Sequence, residues 1–236
     1  MPKLSIIIPA HNEEVNIVKI IKKIENVLNR NKISAEIIVI DDNSTDDTSK
    51  NIITLQKKFS NLRLIQRQDK KAGVGRNFKI GFAETKGDII ITMDADLSHD
   101  PEEIPNFLKA FKNVDMVSGS RYIRDGKEEL DIKRKIISRG YSLAGRILLG
   151  IKMCDISTGY RAYSKSALKK ITLESKGFAI HSEIPIKFFL KNFRIKEIPI
   201  SYKKRGSGFS KLRYTKEGKD YIKILLNAFK KRLLRI

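Results

Sequence analysis

Two rhythms of apolar residues alternate along the first half of the chain. Residues 4–8, LSIII, form a continuous β-rich run closed by Pro9, and the pattern predicts a buried strand over Lys3–Pro9. Val15, Ile17, Val18, Ile20, Ile21, Ile24, Val27 and Leu28 then recur at helical spacing, so a helix is expected from about Glu13, with Asn12 as its cap. The alternation repeats. Strands are predicted at Ser34–Asp41, Leu62–Gln66, Asp88–Met93 and Val114–Ser118. Helices are predicted up to Phe59, over Gly73–Thr85, and over Pro101–Phe111, where Pro101 suits the first turn. Downstream, Lys133–Leu149 reads as a helix, 156–165 as a loop running into a short strand or helix, and Ile195–Tyr202 as an alternating strand. Residues 203–213, KKRGSGFSKLR, read as a basic loop.

Strands alternating with helices imply an α/β fold with a mostly parallel twisted sheet flanked by helices. In such sheets ligands bind beyond the carboxyl ends of the strands. Three polar clusters follow three strands: PAHNEE at 9–14, DDNSTDD at 41–47 and DADLSHD at 94–100. All three are therefore expected on one edge of the sheet. Neither a repeat nor a linker interrupts the pattern. One domain over 1–215 is expected, followed by a basic amphipathic helix over 216–236.

Charge complicates the picture. The 236 residues carry 48 Lys+Arg against 27 Asp+Glu, a formal net charge of +21. Such an excess calls for an acidic partner: nucleic acid, an anionic lipid surface or phosphorylated small molecules. The bland reading is a solvated lysine-rich surface. The single cysteine, Cys154, excludes an intrachain disulfide, fits a reducing compartment and reads as packed. Nowhere do about 18 apolar residues run uninterrupted, and MPKLSIIIPAHNEE does not read as a signal peptide. A cytoplasmic protein is expected, peripheral at the cytoplasmic face of a membrane if the tail helix lies on lipid.

Asp94 and Asp96 end a predicted strand with Ala95 between them, so alternation points both carboxylates the same way. Two like charges that close repel unless a cation sits between them. A divalent cation, Mg²⁺ or Mn²⁺, suits oxygen ligands and usually bridges to substrate phosphates. The competing reading is one helix-capping and one solvated aspartate. In a basic protein the acidic pair thus implies a phosphorylated substrate held through metal.

IIIPAHNEE, IIVIDDNSTDDT and MDADLSHDPEEIP, in this order, resemble the GT-A-fold glycosyltransferases of family 2. VSGSRY, KRKIISRG, STGYRAYSK and EIPISYKKRGSGFSKL extend the resemblance to the dolichyl-phosphate (polyprenyl-phosphate) mannosyltransferases within that family, over about residues 3–213. The resemblance implies GDP-mannose as donor, a polyprenyl (dolichyl) phosphate as acceptor, and inversion at the anomeric carbon. It also implies site residues. Pro9, Ala10, His11 and Glu13 would line the nucleotide pocket, with His11 where the family often has Tyr. Val39, Asp41 and Asp42 would hold base and ribose. Asp94, Ala95 and Asp96 would meet the donor, with Asp94, Asp96 and Ser98 at the metal. Asp96, Arg121, Arg205 and Lys211 would carry the catalytic charge stabilisation. Arg121, Arg134 and Ser138 would bind the acceptor phosphate. Gly206 and Gly208 would let the loop between Arg205 and Lys211 close.

Relatives often continue into membrane-spanning segments, so a membrane surface or a separate membrane subunit is expected to bring this chain to its lipid. AGVGRNFKIG, 72–81, lacks the third glycine and the preceding strand of a dinucleotide fingerprint and reads as helix packing. Three alternatives stay open. A family 2 enzyme could use another donor such as UDP-glucose or UDP-GlcNAc. A nucleic-acid module could use the basic surface, although it leaves DADLSH unexplained and lacks interleaved aromatics, so no nucleic-acid partner is expected. A non-catalytic subunit would be indifferent to loss of Asp94.

Overall fold

The computed structural model describes residues 4–67, 73–207 and 214–234. Strands β1 (Leu4–Ala10), β2 (Ala35–Asp41), β3 (Leu62–Gln66) and β4 (Ile89–Thr92) alternate with helices α1 (Glu14–Arg30), α2 (Thr48–Gln56) and α3 (Val74–Glu84). A 3₁₀ turn at Pro101–Glu103, capped by Asp100, leads into α4 (Ile104–Ala110). Next come β5 (Met116–Ser120), the short β6 (Lys127–Glu128), α5 (Ile132–Leu149), β7 (Arg161–Ser164) and α6 (Lys165–Leu168). The remaining elements are α7 (Ile180–Leu190), β8 (Ile195–Pro199), β9 (Ser201–Tyr202) and α8 (Tyr214–Leu233).

The main sheet has seven strands in the order β3-β2-β1-β4-β7-β5-β8. Every pairing is parallel except those of β7, which runs antiparallel to both β4 and β5. Continuous apolar strands follow from burial on both faces. Ile6, Ile8, Ile37, Val39, Ile89 and Ile91 face the layer holding α1, whose Ile17, Ile20, Ile21 and Ile24 pack on them. Ile7, Ile38, Ile40 and Ile90 face the other layer, with Phe78 of α3, Ile184 and Phe188 of α7 and Leu225 of α8.

The 156–165 segment is a loop running into a short strand, as expected; it supplies the reversed strand β7, buried between β4 and β5. Three features depart from the sequence expectation. Helix α7 was not expected: IHSEIPIKFFL is buried nearly all round and contains Pro185, so it has no amphipathic period to read. The alternating run at 195–202 divides after Pro199; β8 joins β5, while β9 pairs with β6 in a separate two-stranded sheet. Helix α8 begins at Tyr214, not at 216, and docks on the domain through buried Leu225 and Ala228. Arg235 and Ile236 lie outside the described residues. Among those described, no helix is long and apolar enough to cross a membrane.

The glycine-rich 72–81 segment has a packing explanation. A Cβ on Gly75 would lie 2.6 Å from the Ser175 carbonyl oxygen and 2.9 Å from that of Gly177. A Cβ on Gly81 would lie 2.7 Å from Ile7 Cγ2. Glycines therefore let α3 approach both the 175–177 backbone and the sheet.

Candidate active site

The three polar clusters meet at the carboxyl edge of the sheet. Each turns through one residue in the left-handed region: Asn12 (φ 53°), Asn43 (φ 57°) and Leu97 (φ 67°). Asparagine tolerates that conformation; a leucine there is strained. The first two loops are laced together. Thr48 Oγ1 accepts from the Glu13 amide at 2.8 Å, Asp46 Oδ2 from the Glu14 amide at 3.1 Å, and Glu14 Oε2 in return from the Asp47 amide at 3.0 Å. Asn12 Oδ1 accepts from the Thr45 amide at 2.8 Å. The first amides of α1 are thus capped from across the cleft.

Asp41 and Asp42 are both buried and both engaged. Asp41 Oδ2 accepts from Ser49 Oγ at 2.6 Å, and its Oδ1 is bonded by Ser44. Asp42 pairs with buried Arg67 and accepts from the Gly73 amide at 2.9 Å. Val39 lies inside β2 with its side chain wholly in the core. Pro9 and Ala10 end β1, and Ala95 is buried between the two aspartates. His11 Nδ1 is shielded from solvent yet has no hydrogen-bond partner among the described residues, which leaves it an open polar atom beside the cleft.

Asp94 and Asp96 stand at the centre. The Asp94 carboxylate stays one-third exposed, open to the cleft. Burial first, then the charges of Asp96 and Glu13, push its pKa up to about 7; Arg205 and Arg121 pull the other way. Asp96 Oδ1 accepts from both the amide (3.0 Å) and the hydroxyl (2.6 Å) of Ser98. Ser98 is wholly buried, so its hydroxyl lies behind Asp96 and orients it. The Asp94 amide donates to His99 Nδ1 at 3.0 Å, which fixes that imidazole as the Nε2–H tautomer. Tyr160 stacks on the His99 ring at 4.8 Å and Tyr202 meets it edge-on at 5.5 Å. Burial holds the His99 pKa down at about 4.

A strap of residues 202–207 crosses this turn. The Lys203 amide donates to the Ser98 carbonyl and the Gly206 amide to the Asp96 carbonyl, both at 2.9 Å. Arg205 on the strap bonds Glu13 Oε1 at 2.6 Å and lies 3.8 Å from Asp96 Oδ2. Gly208 and Lys211, expected to continue this loop, lie outside the described residues. Among the described residues no group of three or more His, Cys, Asp or Glu side chains converges tightly enough to hold an ion unaided. Two carboxylates with a charge conflict, one of them solvent-facing, nevertheless fit a hard cation that takes its remaining ligands from a phosphorylated substrate.

On the other side of Asp94 lies Arg121, 8% exposed and just beyond β5. Its Nε donates to Asp155 Oδ2 at 2.7 Å and its Nη2 to Asp155 Oδ1 at 2.9 Å. Nη2 also reaches Ser138 Oγ on α5 at 3.1 Å. Burial alone would disfavour the guanidinium charge, but Asp155 outweighs it and raises the Arg121 pKa. Arg134 sits one turn before Ser138 on α5, where it pairs with the helix-capping Asp131 at 3.2 Å. Sequence reasoning missed Asp155, His99 and the Ser44–Thr48 bridge. Asp155 stands two residues before the quoted STGYRAYSK block, and His99 inside DADLSHD; neither spacing reveals its partner.

A seven-stranded, mostly parallel sheet with an acidic doublet after its fourth strand defines a GT-A-like fold. Its likeness to glucosyl-3-phosphoglycerate synthase from Mycobacterium tuberculosis, solved with Mn²⁺, UDP and glucosyl-3-phosphoglycerate, bears this out. The TM-score is 0.75 at 22% identity, over 97% of this chain and 80% of that one. Residues 5–172 match glycosyl transferase family 2, and the chain belongs to that family. It is 38% identical over 216 residues to the dolichol-phosphate mannosyltransferase of Pyrococcus furiosus, covering 89% of this chain and 59% of that protein. It is 33% identical over 213 residues to the undecaprenyl-phosphate mannosyltransferase of Micrococcus luteus (87% and 86% covered). It is 31% identical over 215 residues to the polyprenol monophosphomannose synthase of Mycolicibacterium smegmatis (88% and 80%). The chain thus spans about three-fifths of the first relative's length and most of the other two.

Proposed function

We propose that this chain transfers mannose from GDP-mannose to a polyprenyl (dolichyl) phosphate, with inversion at the anomeric carbon. One observation carries the reading. Two arginines act on Asp94: Arg205, anchored to Glu13 after β1, and Arg121, beside Ser138 after β5, and β1 and β5 lie to either side of β4 in the sheet. That is the layout needed to bring a sugar diphosphate and a second phosphate together. The names of the similar mannosyltransferases supply the sugar and the lipid.

Asp94 and Asp96 would hold a divalent cation, Mg²⁺ or Mn²⁺, which when bound supplies positive charge to the donor diphosphate. Ser98 and His99 act through these carboxylates, by orienting Asp96 and by anchoring the Asp94 backbone. His11 and Glu13 line the nucleotide side, with Asp41 and Asp42 shaping the loop beneath it. Arg205, and Lys211 further along the chain, would stabilise the departing diphosphate. Arg121, Arg134 and Ser138 would position the acceptor phosphate. No general base is needed, because a phosphate monoester with a second pKa near 6 is already largely dianionic at neutral pH.

The lipid acceptor also accounts for an exposed apolar stripe on α5. Ile132, Ile136, Leu143 and Ile147 recur on one face, and α8 beside it exposes Ile222, Leu226 and Leu233. Lysines and arginines border both helices. Such a surface suits an anionic membrane interface. Because Ser138 sits on α5, the same helix would meet the head phosphate and the bilayer.

The test is transfer of labelled mannose from GDP-mannose to a polyprenyl phosphate, with and without chelator. Chelator-sensitive product is the expected result. Preference for UDP-glucose or UDP-GlcNAc would replace the sugar assignment, and product formation untouched by chelator would remove the metal.

A further inference from the structure

Arg121 is held more tightly than a phosphate-binding arginine requires. One in-plane edge of its guanidinium, Nε and Nη2, is taken by both oxygens of Asp155, which is wholly buried. The rings of Tyr122 and Tyr202 lie 5.0 and 5.4 Å from its central carbon, so aromatic packing also restricts it. On the other edge, Nη2 also meets two hydroxyls, Ser138 Oγ at 3.1 Å and Ser157 Oγ at 2.8 Å, which are 2.7 Å from each other. Nη1 has no hydrogen-bond acceptor among the described residues. Two N–H groups and a hydroxyl pair therefore share one free edge of a fixed cation.

Asp155 is itself seated from behind. Glu197 on β8 accepts from the Cys154 amide at 2.8 Å through Oε2 and from the Asp155 amide at 3.0 Å through Oε1. Asp155 Oδ1 also accepts from the Ser157 amide at 3.2 Å and from the Ser157 hydroxyl at 3.1 Å, so the serine is tied to the same turn and its hydroxyl must rotate away from Asp155 to donate to a phosphate. Glu197, Asp155 and Arg121 thus form a chain from the sheet to the cleft. Three acceptor oxygens compete for the two Nη2 hydrogens, so the serine hydroxyls need not all point at the arginine.

We propose that Asp155 is a positioning residue that locks Arg121 with its Nη1 edge toward the acceptor phosphate, and that Ser157 joins Ser138 as a second hydroxyl donor to that phosphate. The inference rests on the reading of Arg121 as an acceptor-phosphate ligand. A bidentate guanidinium already oriented by a buried carboxylate loses little freedom when phosphate arrives.

Asp155→Asn keeps the shape of the carboxylate and removes its charge. With geranyl phosphate as a soluble acceptor, kcat/KM for the acceptor is expected to fall roughly 10–100-fold, as when other outer-shell supports are removed. The Kd for GDP with Mn²⁺ should stay within about 2-fold of wild type, a split that general loss of structure would not give. The losses from Arg121→Ala and Asp155→Asn should overlap in the double variant instead of multiplying, because both act through one guanidinium. Ser157→Ala should raise the acceptor KM about 5–10-fold, the scale of one charge-assisted hydrogen bond, and it decides the matter if Asp155→Asn does not fold. Acceptor kinetics within about 2-fold of wild type in the folded variants would overturn the inference while leaving mannosyl transfer intact. A wild-type protein that transfers another sugar to geranyl phosphate changes only the donor, and the same variants are then read with that donor. A wild-type protein that does not bind geranyl phosphate overturns both.

Discussion

Asp94 pits its proposed cation-holding role against stability at a single carboxyl group. Its folded pKa of about 7 lies above the ordinary aspartate value, so the folded protein binds an extra proton between about pH 4 and pH 7. Stability must fall as pH rises through that window. Asp94→Asn removes the repulsion from Asp96 and Glu13. Above pH 7, in chelator, it should melt about 2–4 °C higher than wild type, corresponding to about 1 kcal/mol after allowance for the exposed third of the side chain. The gain should vanish near pH 4, and the proposed mannosyl transfer should drop by at least about 100-fold; a melting point unchanged at pH 8 would contradict the charge conflict. Glu103 gives a second case away from the acidic doublet. Its Oε1 accepts from the Ser201 amide at 2.7 Å and its Oε2 is buried without a partner. Burial is the main cause that pushes its pKa to about 7. Glu103→Gln imitates the protonated form, so the difference in melting temperature between variant and wild type should grow from pH 4.5 to pH 7 and then level off. A constant difference would show that the group ionises normally. The acidic doublet was legible because its chemistry lies in one short loop. Asp155 was not, since it meets Arg121 34 residues away and only the fold joins them.

At the scale of elements, the alternating half of the chain was readable because each strand is apolar throughout and each flanking helix shows a clear buried stripe. The later half was not, for opposite reasons in different elements. Helix α7 is too uniformly buried to show a period, and β7 hides a wholly buried arginine, Arg161, whose Nε reaches Ser118 Oγ at 2.9 Å inside the sheet. The glycines before and within α3 read correctly as packing devices, and the structure supplies their partners. Gly75→Ala places a methyl group against two backbone carbonyls that belong to the 175–177 segment. Backbone cannot give way as the tip of a side chain can, so about 1–3 kcal/mol of stability should be lost. A shift of about 2–10 °C in the thermal midpoint checks it. Gly140 on α5 has open space around its Cβ position, so Gly140→Ala should instead stabilise its helix by about 0.5–1 kcal/mol.

At the scale of the whole molecule, a formal charge of +21 and the apolar stripes of α5 and α8 belong to one surface problem. Basic residues alone would bind any polyanion, with an affinity that collapses in salt. Apolar residues alone would drive self-association. Together they favour an anionic bilayer, where the isoleucines enter the interface and the lysines and arginines stay among head groups. Ser138 lies on the same helix as Ile136 and Leu143 but on its protein-facing side, so a chain docked through the stripe would hold its phosphate-binding face over the cleft next to the membrane. Ile136→Glu and Ile147→Glu, singly and together, replace exposed side chains and should leave the fold intact. Sedimentation with vesicles of phosphatidylglycerol and phosphatidylcholine should fall by about 10-fold or more for the double variant. Transfer to long-chain polyprenyl phosphate in those vesicles should fall with it, while transfer to geranyl phosphate in solution should stay within about 2-fold of wild type. Equal loss with both acceptors would place the isoleucines in support of the catalytic cleft and remove α5 from the bilayer.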